Sequence, residues 1–149
     1  MAYDRIDWHS EGDFPEDLPP EGGGTHIGMF LAWCIINKLS GEFHDEESAD
    51  ALTAVRERRM TGRDFLQRMC DEKLWEEDLS VDGNSFAAAY YTGPGGKGYG
   101  PYIDDYEAIL APQCPSLYHV EDNWTNFDLI SARITQRYDS FKRTGSVRL

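Results

Sequence analysis

Histidine is the residue type in this sequence with the broadest chemistry, because its imidazole binds metal ions and transfers protons near neutral pH. The four histidines, His9, His26, His44 and His119, are scattered, and no two have the spacing of a helical zinc motif. A metal site would have to assemble from remote positions, for example from His9, His26 and an aspartate. We therefore predict no metal and no cofactor. The alternative function is a small hydrolase or metal-dependent enzyme that uses His9, His26 and nearby carboxylates.

The three cysteines offer a second kind of chemistry, nucleophilic attack by a thiolate. Cys34, Cys70 and Cys114 cannot all pair within one chain and have no CxxC spacing, which favours a reducing compartment. Cys70 precedes Asp71 at the expected end of a helix, where the helix dipole raises the pKa of a thiol. We therefore expect no catalytic cysteine and a protein that is not an enzyme.

A glycine-rich segment matches a nucleotide-binding motif in its letters. Gly93, Gly95 and Gly98 follow the G-x-G-x-x-G spacing. That motif binds a pyrophosphate where a strand leads into a helix N-terminus. Here a helical pattern precedes the glycines and Gly100-Pro101 follows them, which predicts a surface loop instead of a nucleotide site.

The charge of the chain restricts its partners. Its 27 acidic and 14 basic side chains give a net charge of −13, and the basic excess is confined to residues 129–149. Such a chain is repelled by phosphate backbones, so we predict a basic protein as partner and no nucleic acid. The N-terminus lacks the pattern of a secretory signal, and the longest apolar run, residues 27–36, is about half of the ~20 residues that cross a bilayer. We therefore expect no membrane association and a cytoplasmic location.

Acidic and aromatic residues concentrate in two segments, where we predict the partner-binding surface. Glu72 and Glu76 are like charges four residues apart, and in a helix their repulsion lowers helix stability by a few tenths of a kcal/mol. Folding therefore does not explain the density of acidic residues in this segment. Tyrosines anchor partners well, and we expect Tyr99 and Tyr102 to be exposed. The alternative is a surface that only keeps the protein soluble. The predicted surface consists of Asp71, Glu72, Trp75, Glu76, Glu77, Asp78, Tyr99, Tyr102, Asp104 and Asp105.

The periodicity of apolar residues predicts the elements that must position these side chains. A chain of 149 residues has the size of one domain, and we predict a single domain over 1–149. Proline and glycine clusters in the first 24 residues predict an extended N-terminal wrap without a helix. Helical patterns predict a mainly α protein, a compact bundle of about five to seven helices, with an α+β arrangement as the alternative.

Capping residues predict where the individual helices begin. A core helix with Phe30 and Trp33 follows Thr25, and further helices follow Ser48, Thr61, Asn84 and Asn123. Another helical pattern runs from Tyr102 to Leu110. Residues 117–120 predict a short strand against the N-terminal segment.

Nearly the whole chain resembles a family of uncharacterised bacterial proteins. Such proteins are associated with polymorphic toxin systems, in which small acidic proteins serve as cytosolic immunity factors. The resemblance implies no catalytic motif and transfers no functional residue. It implies a non-enzymatic immunity protein that neutralises a cognate toxin. The residues that carry the resemblance are Asp4 to Asp7, Trp8-His9, Phe14-Pro15, Leu18-Pro19, Gly24-Thr25-His26, Met29, Trp33, Cys70-Asp71, Asp82-Gly83-Asn84, Phe86, Tyr90-Tyr91 and Trp124.

Overall fold

The most enclosed element is the helix Thr25–Ile36, in which every residue from Thr25 to Ile35 is buried. The computed structural model of the protein describes residues 2–93 and 100–149. This helix is apolar around most of its circumference, which is typical of a helix in the centre of a core. Phe30 and Trp33 lie on it, fully buried, as the sequence predicts. Its N-cap is Gly24, so the predicted cap at Thr25 is displaced by one residue.

Helices make up most of the described chain, which confirms the mainly α fold class. A π-helical turn, Ala88–Thr92, directly follows the helix Val81–Ala87. Short 3-10 turns cover Pro20–Gly24, Glu76–Asp78 and Leu117–His119. Within residues 2–93 and 100–149, no helix combines the length and the apolar character needed to cross a membrane. The α-helices of the described residues are α1 (Ile6–Ser10), α2 (Thr25–Ile36), α3 (Glu42–Glu47), α4 (Ala49–Arg56), α5 (Gly62–Met69), α6 (Val81–Ala87), α7 (Pro101–Leu110) and α8 (Trp124–Thr144).

Three of the predicted helix starts, those at Ser48, Thr61 and Asn123, are confirmed, and the one at Asn84 is wrong. The side chains of Thr61 and Asn123 accept hydrogen bonds from backbone N–H groups three residues later and begin α5 and α8. Asn84 does not begin a helix, because the hydroxyl of Ser80 caps α6 one turn earlier. Asn84 instead lies within α6 and accepts a hydrogen bond from the Tyr3 hydroxyl at 2.6 Å.

The N-terminal segment forms a strand and a helix, which corrects the prediction of a helix-free wrap. Strand β1, Ala2–Arg5, pairs antiparallel with β2, Lys73–Trp75, and α1 follows β1 directly. The predicted strand at residues 117–120 is a 3-10 turn, because the Ser116 hydroxyl caps it by accepting from the N–H of Tyr118. The edge of β1 is thus paired with a segment about 70 residues later in the chain.

Helices α2 and α5 cross at two glycines. A Cβ on Gly28 would overlap the backbone of Arg63, and a Cβ on Gly62 would overlap the carbonyl of Gly28. The two backbones are therefore in contact, which only glycine at both positions allows. This contact fixes the position of the N-terminal turn of α2, where His26 lies.

Candidate functional site

The first residues of the chain contribute to two different sites, because successive residues of a strand face opposite sides. Asp4 of β1 is fully buried, whereas its neighbour Arg5 reaches the surface. Helix α1 continues the division, since His9 is buried and the Trp8 side chain is 42% exposed. One short segment thus forms part of a buried polar cluster on its inner side and one wall of a surface cleft on its outer side.

The buried site, which we call the Asp4 cluster, consists of Asp4, His9 and His26. Oδ1 of Asp4 lies 2.8 Å from Nε2 of His9, and Oδ2 of Asp4 lies 3.3 Å from Nε2 of His26. Tyr91 donates a hydrogen bond of 2.6 Å to Oδ2 of Asp4, and the Tyr118 hydroxyl lies 2.7 Å from Nδ1 of His9. The sequence named His9, His26 and an aspartate as remote positions that would have to meet, and the fold brings them together.

The electrostatics of the Asp4 cluster favour an ionised carboxylate beside a neutral imidazole. Burial raises the pKa of Asp4, but the interactions with His26 and His9 outweigh burial and hold this pKa well below its usual range. Burial lowers the pKa of His26, which favours its neutral form. Burial and the charge of Asp4 together raise the pKa of Tyr91, so that its hydroxyl remains a donor.

Two buried side chains of this region, His26 and Tyr106, have polar atoms without a well-aligned hydrogen bond among the described residues. Nδ1 of His26 and the hydroxyl of Tyr106 have no partner there, and Nε2 of His26 has only its 3.3 Å contact with the Asp4 carboxylate. Both side chains are buried, and their rings pack 5.9 Å apart between centroids. A buried polar group without a partner costs about 1–3 kcal/mol, so the unpartnered Nδ1 of His26 opposes folding.

A second buried group, the His44 cluster, consists of His44, Cys70 and Asp78. Oδ1 of Asp78 lies 2.7 Å and Sγ of Cys70 lies 3.7 Å from the same nitrogen, Nε2 of His44. A catalytic relay requires the nucleophile and the carboxylate on opposite nitrogens of the imidazole, and here Nδ1 faces Ser48 instead. The pKa of Cys70 is raised, as its position at a helix end predicts, although burial is the main cause. The geometry therefore does not activate Cys70.

Three residues of the predicted partner-binding surface are buried, which corrects that part of the prediction. Asp78 is 3% exposed because the 3-10 turn Glu76–Asp78 directs it inward, where it accepts hydrogen bonds from His44 and the Trp75 backbone. Tyr102 is 1% exposed and donates to the backbone carbonyl of His26. Asp105 is 5% exposed because Tyr102 and Asp105 share the inner face of α7.

Asp105 has a structural role that the sequence did not reveal. Its carboxylate accepts hydrogen bonds from Arg137 at 2.8 and 2.9 Å, from Arg133 at 3.2 Å and from Tyr90 at 2.6 Å. Burial raises the pKa of Asp105, but Arg137 and Tyr90 outweigh burial and lower it. The residue therefore joins α7 to α8 and is committed to the fold.

The remaining residues of that predicted surface lie at or near the solvent. Trp75 is half-buried, and Tyr99 lies outside the described residues, as do Gly95 and Gly98 of the glycine-rich segment. The exposed residues are Asp71, Glu72, Glu76, Glu77 and Asp104. These five keep their predicted place on the surface.

Two of these exposed residues line a surface cleft with a volume of about 370 Å³, which we call the acidic cleft. Arg5 pairs with Asp7 through two hydrogen bonds of 2.7 and 2.9 Å, and Lys73 lies 3.3 Å from Asp71. Its full lining is Arg5, Ile6, Asp7, Ser10, Glu11, Pro20, Asp71, Glu72 and Lys73.

Two carboxylates of the acidic cleft, those of Glu11 and Glu72, form no ion pair within the described part of the chain. The backbone places Glu72 in an unfavourable conformation, because Asp71 and Glu72 have φ of 52° and 62° in succession. Left-handed backbone costs non-glycine residues roughly 1–2 kcal/mol each and is frequent at functional sites. The cleft therefore presents two unpaired carboxylates, and one of them, Glu72, lies on a turn with unfavourable backbone conformation.

The fold and these sites define a mainly α-helical protein whose small two-stranded sheet separates a buried carboxylate–histidine cluster from an acidic cleft. The chain belongs to the family defined by a domain of unknown function, DUF7832, which matches residues 2–120. The Asp4 cluster, the His44 cluster and the acidic cleft all lie within the matched part. No curated protein and no solved structure matches the chain significantly.

Sequence reasoning found His9 but missed the rest of the N-terminal contribution to the two sites. It assigned no functional role to Asp4, which joins the two histidines, or to Trp8 and Glu11, which face the solvent beside or in the cleft. The stretch from Tyr3 to Trp8 does not alternate between apolar and polar residues, because Asp4 and Arg5 are adjacent charged residues. Its spacing therefore did not indicate a strand.

Proposed function

We propose that the protein is a non-enzymatic, acidic protein-binding module that receives a basic partner in the acidic cleft. The observation that carries this proposal is the pair of carboxylates, Glu11 and Glu72, that have no ion-pair partner among the described residues although they line a shared cleft. An arginine or lysine side chain of a partner fits such a cleft, because its charged group forms short charge-assisted hydrogen bonds to carboxylates. A partner cation would supply the counter-charge that these two groups lack.

An exposed tryptophan adds an apolar anchor to this region. Trp8 lies on α1 between two cleft residues, Asp7 and Glu11, and the guanidinium of Arg5 lies 5.9 Å from the centre of its ring. Tryptophan is enriched among the residues that dominate binding energy at protein interfaces. A contact that covers Trp8 while a cation enters the cleft would combine an apolar anchor with a charged one.

The more specific form of the proposal is an immunity protein that neutralises a cognate bacterial toxin in the cytoplasm. The association of the resembled family with polymorphic toxin systems supports it, and so does the net charge of −13. The electrostatic field of a strongly acidic protein accelerates its association with a basic partner. Fast association suits a protein that must bind a toxin before damage occurs.

The enzyme alternative is supported less well by the geometry. A hydrolase or metal-dependent enzyme built on His9 and His26 needs its substrate to reach these rings. His26 is 1% exposed, and His9 is buried as well. A substrate would therefore reach neither ring without a conformational change, whereas the acidic cleft is open to solvent.

The test compares two double variants with equal changes in net charge. Glu11→Lys with Glu72→Lys alters the cleft, and Glu107→Lys with Glu121→Lys alters exposed residues outside it. The partner to try first is the basic protein encoded by an adjacent gene, followed by stopped-flow association at several salt concentrations. We expect the cleft variant to lower the association rate by at least about tenfold at low salt, and more than the control variant does.

Two results would contradict the proposal. One is an association rate that the cleft variant leaves unchanged from low to high salt. The other is an equal loss in both variants, which would mean that net charge attracts the partner without any role for the cleft. Protection of cells from the neighbouring protein's toxicity then tests the immunity function separately.

A further inference from the structure

We propose that Asp4, His9 and His26 form a binding site for one divalent transition-metal ion, and that Zn²⁺ fits this ligand set best. Two imidazole nitrogens and one carboxylate oxygen are ligands that zinc accepts in proteins. This site goes beyond protein binding at the acidic cleft, because it lies on the buried side of β1 and α1 and shares no residue with the cleft.

The distances between the ligand atoms suit a tetrahedral ion. The three ligand atoms lie within 4.8 Å of one another. Zinc bonds of about 2.0–2.2 Å place tetrahedral ligand atoms about 3.3–3.5 Å apart. Nε2 of His26 lies 3.3 Å from Oδ2 of Asp4, and Nε2 of His9 lies 2.8 Å from Oδ1, so the two nitrogens contact different oxygens of the carboxylate. A rotation of the carboxylate would present one oxygen to an ion held between the two nitrogens. Because β1, α1 and α2 each supply one ligand, an ion would join three elements of the fold.

The unsatisfied atoms of His26 are an independent observation that indicates a ligand. An ion bound to Nε2 of His26 would replace the poorly aligned 3.3 Å contact between this buried nitrogen and Asp4 with a coordination bond. Three protein ligands leave a fourth position for water on a tetrahedral ion.

The surrounding residues provide the hydrogen bonds that orient metal ligands in other proteins. The Tyr118 hydroxyl lies 2.7 Å from Nδ1 of His9, the nitrogen that would face away from the ion. Tyr91 donates to the carboxylate of Asp4 at 2.6 Å. Such outer contacts fix the orientation of a ligand and the tautomer of a histidine.

The His44 cluster offers a contrasting ligand set in the same protein. Both nitrogens of His44 already have polar neighbours, Ser48 and Asp78, so no buried atom there lacks a partner. Burial raises the pKa of the Cys70 thiol, which disfavours the thiolate that zinc binds. An ion at this cluster would have a sulfur ligand, whereas an ion at the Asp4 cluster would have none.

The first experiment uses the full chain after treatment with a chelator. Calorimetric titration with Zn²⁺ should show one ion per chain, and X-ray absorption at the zinc edge should show nitrogen and oxygen neighbours at about 2.0–2.1 Å. A sulfur neighbour at about 2.3 Å would place the ion at Cys70 and overturn the assignment. The absence of stoichiometric binding would overturn the site altogether. Neither measurement requires a variant.

The second experiment removes one ligand. His26→Leu should weaken zinc binding by more than the ~10–100-fold that loss of an outer contact causes. Leucine is similar in size to histidine, and Asp4 keeps its contacts with Tyr91 and His9, so the zinc-free variant should remain folded, which its melting curve checks. His119→Gln, a change at a histidine that pairs with exposed Asp17, should leave the zinc affinity unchanged. Undiminished zinc binding in a folded His26→Leu variant would refute the site.

Discussion

The hydroxyl of Tyr91 donates a 2.6 Å hydrogen bond to the carboxylate of Asp4, which joins the first strand of the chain to the π-helical turn 87 residues later. Both groups are shielded from water, and Asp4 is ionised there. The bond therefore holds the buried side of β1 in place, beneath the residues of the acidic cleft. It also explains why a carboxylate is tolerated inside the core.

Removing this hydrogen bond should destabilise the protein. Tyr91→Phe keeps the ring but leaves the Asp4 carboxylate one donor short, and hydrogen bonds to charged groups contribute about 1.5–3 kcal/mol. We expect the free energy of unfolding, measured with urea, to fall by that amount. Tyr118→Phe is the matched control, because its hydroxyl contacts His9 and not the carboxylate. A variant as stable as the parent would show that water replaces the Tyr91 hydroxyl.

The depressed pKa of Asp4 predicts a specific loss of stability in acid. In the unfolded chain an aspartate has a pKa of about 3.9, and the fold lowers this value in Asp4. Between the two pKa values the unfolded state binds more protons, so stability falls as the pH falls. The contribution of Asp4 is thus fully present above about pH 5 and is lost progressively below it.

Asp4→Asn tests this linkage because the variant has no carboxyl to titrate. We expect the difference in unfolding free energy between parent and variant to be constant near neutral pH and to shrink as the pH falls from about 5 towards 2. Comparing the two proteins removes the contribution of other carboxylates with lowered pKa, such as Asp105. Parallel stability curves over the whole acid range would contradict the pKa assigned to Asp4.

Truncation of Trp33 should lower the stability of the protein far more than truncation of Trp8. Trp33 is fully buried in α2, and its Nε1 donates to the Thr135 hydroxyl of α8 at 3.0 Å. Trp33→Ala should lower the free energy of unfolding by about 3–5 kcal/mol because it leaves a large cavity. Trp8→Ala should change this free energy by less than about 0.5 kcal/mol, because Trp8 lies at the surface and its ring contacts the guanidinium of Arg5. Thermal and chemical unfolding measure both, and a stable Trp33→Ala variant would contradict the packing of α2.

The sequence by itself determined the fold class and the main helices of the protein. The apolar run around Phe30 and Trp33 predicted α2, and the side chains of Thr61 and Asn123 predicted the starts of two other helices. These features depend on interactions within one or two helical turns, which is the range over which residue spacing is informative. The mainly α fold class follows from the same local patterns.

Only the tertiary structure decided which polar residues are buried and which of them meet. Asp78, Tyr102 and Asp105 appeared suited to a binding surface because they lie in acidic or aromatic segments. They are buried because α7 and the turn before Leu79 pack with those faces inward. The direction of a face depends on the packing of distant elements, and a single sequence does not contain that information in its local spacing.

The Asp4 cluster shows most clearly that local spacing does not reveal which distant residues meet. Its three ligand atoms come from β1, α1 and α2, and the pairing of β1 with a segment about 70 residues away is what holds Asp4 in position. The sequence supplied His9 and His26 as candidates, because their residue type alone permits metal chemistry. Their meeting with Asp4 required long-range pairing, which costs chain entropy and is favourable only when the whole core forms around it.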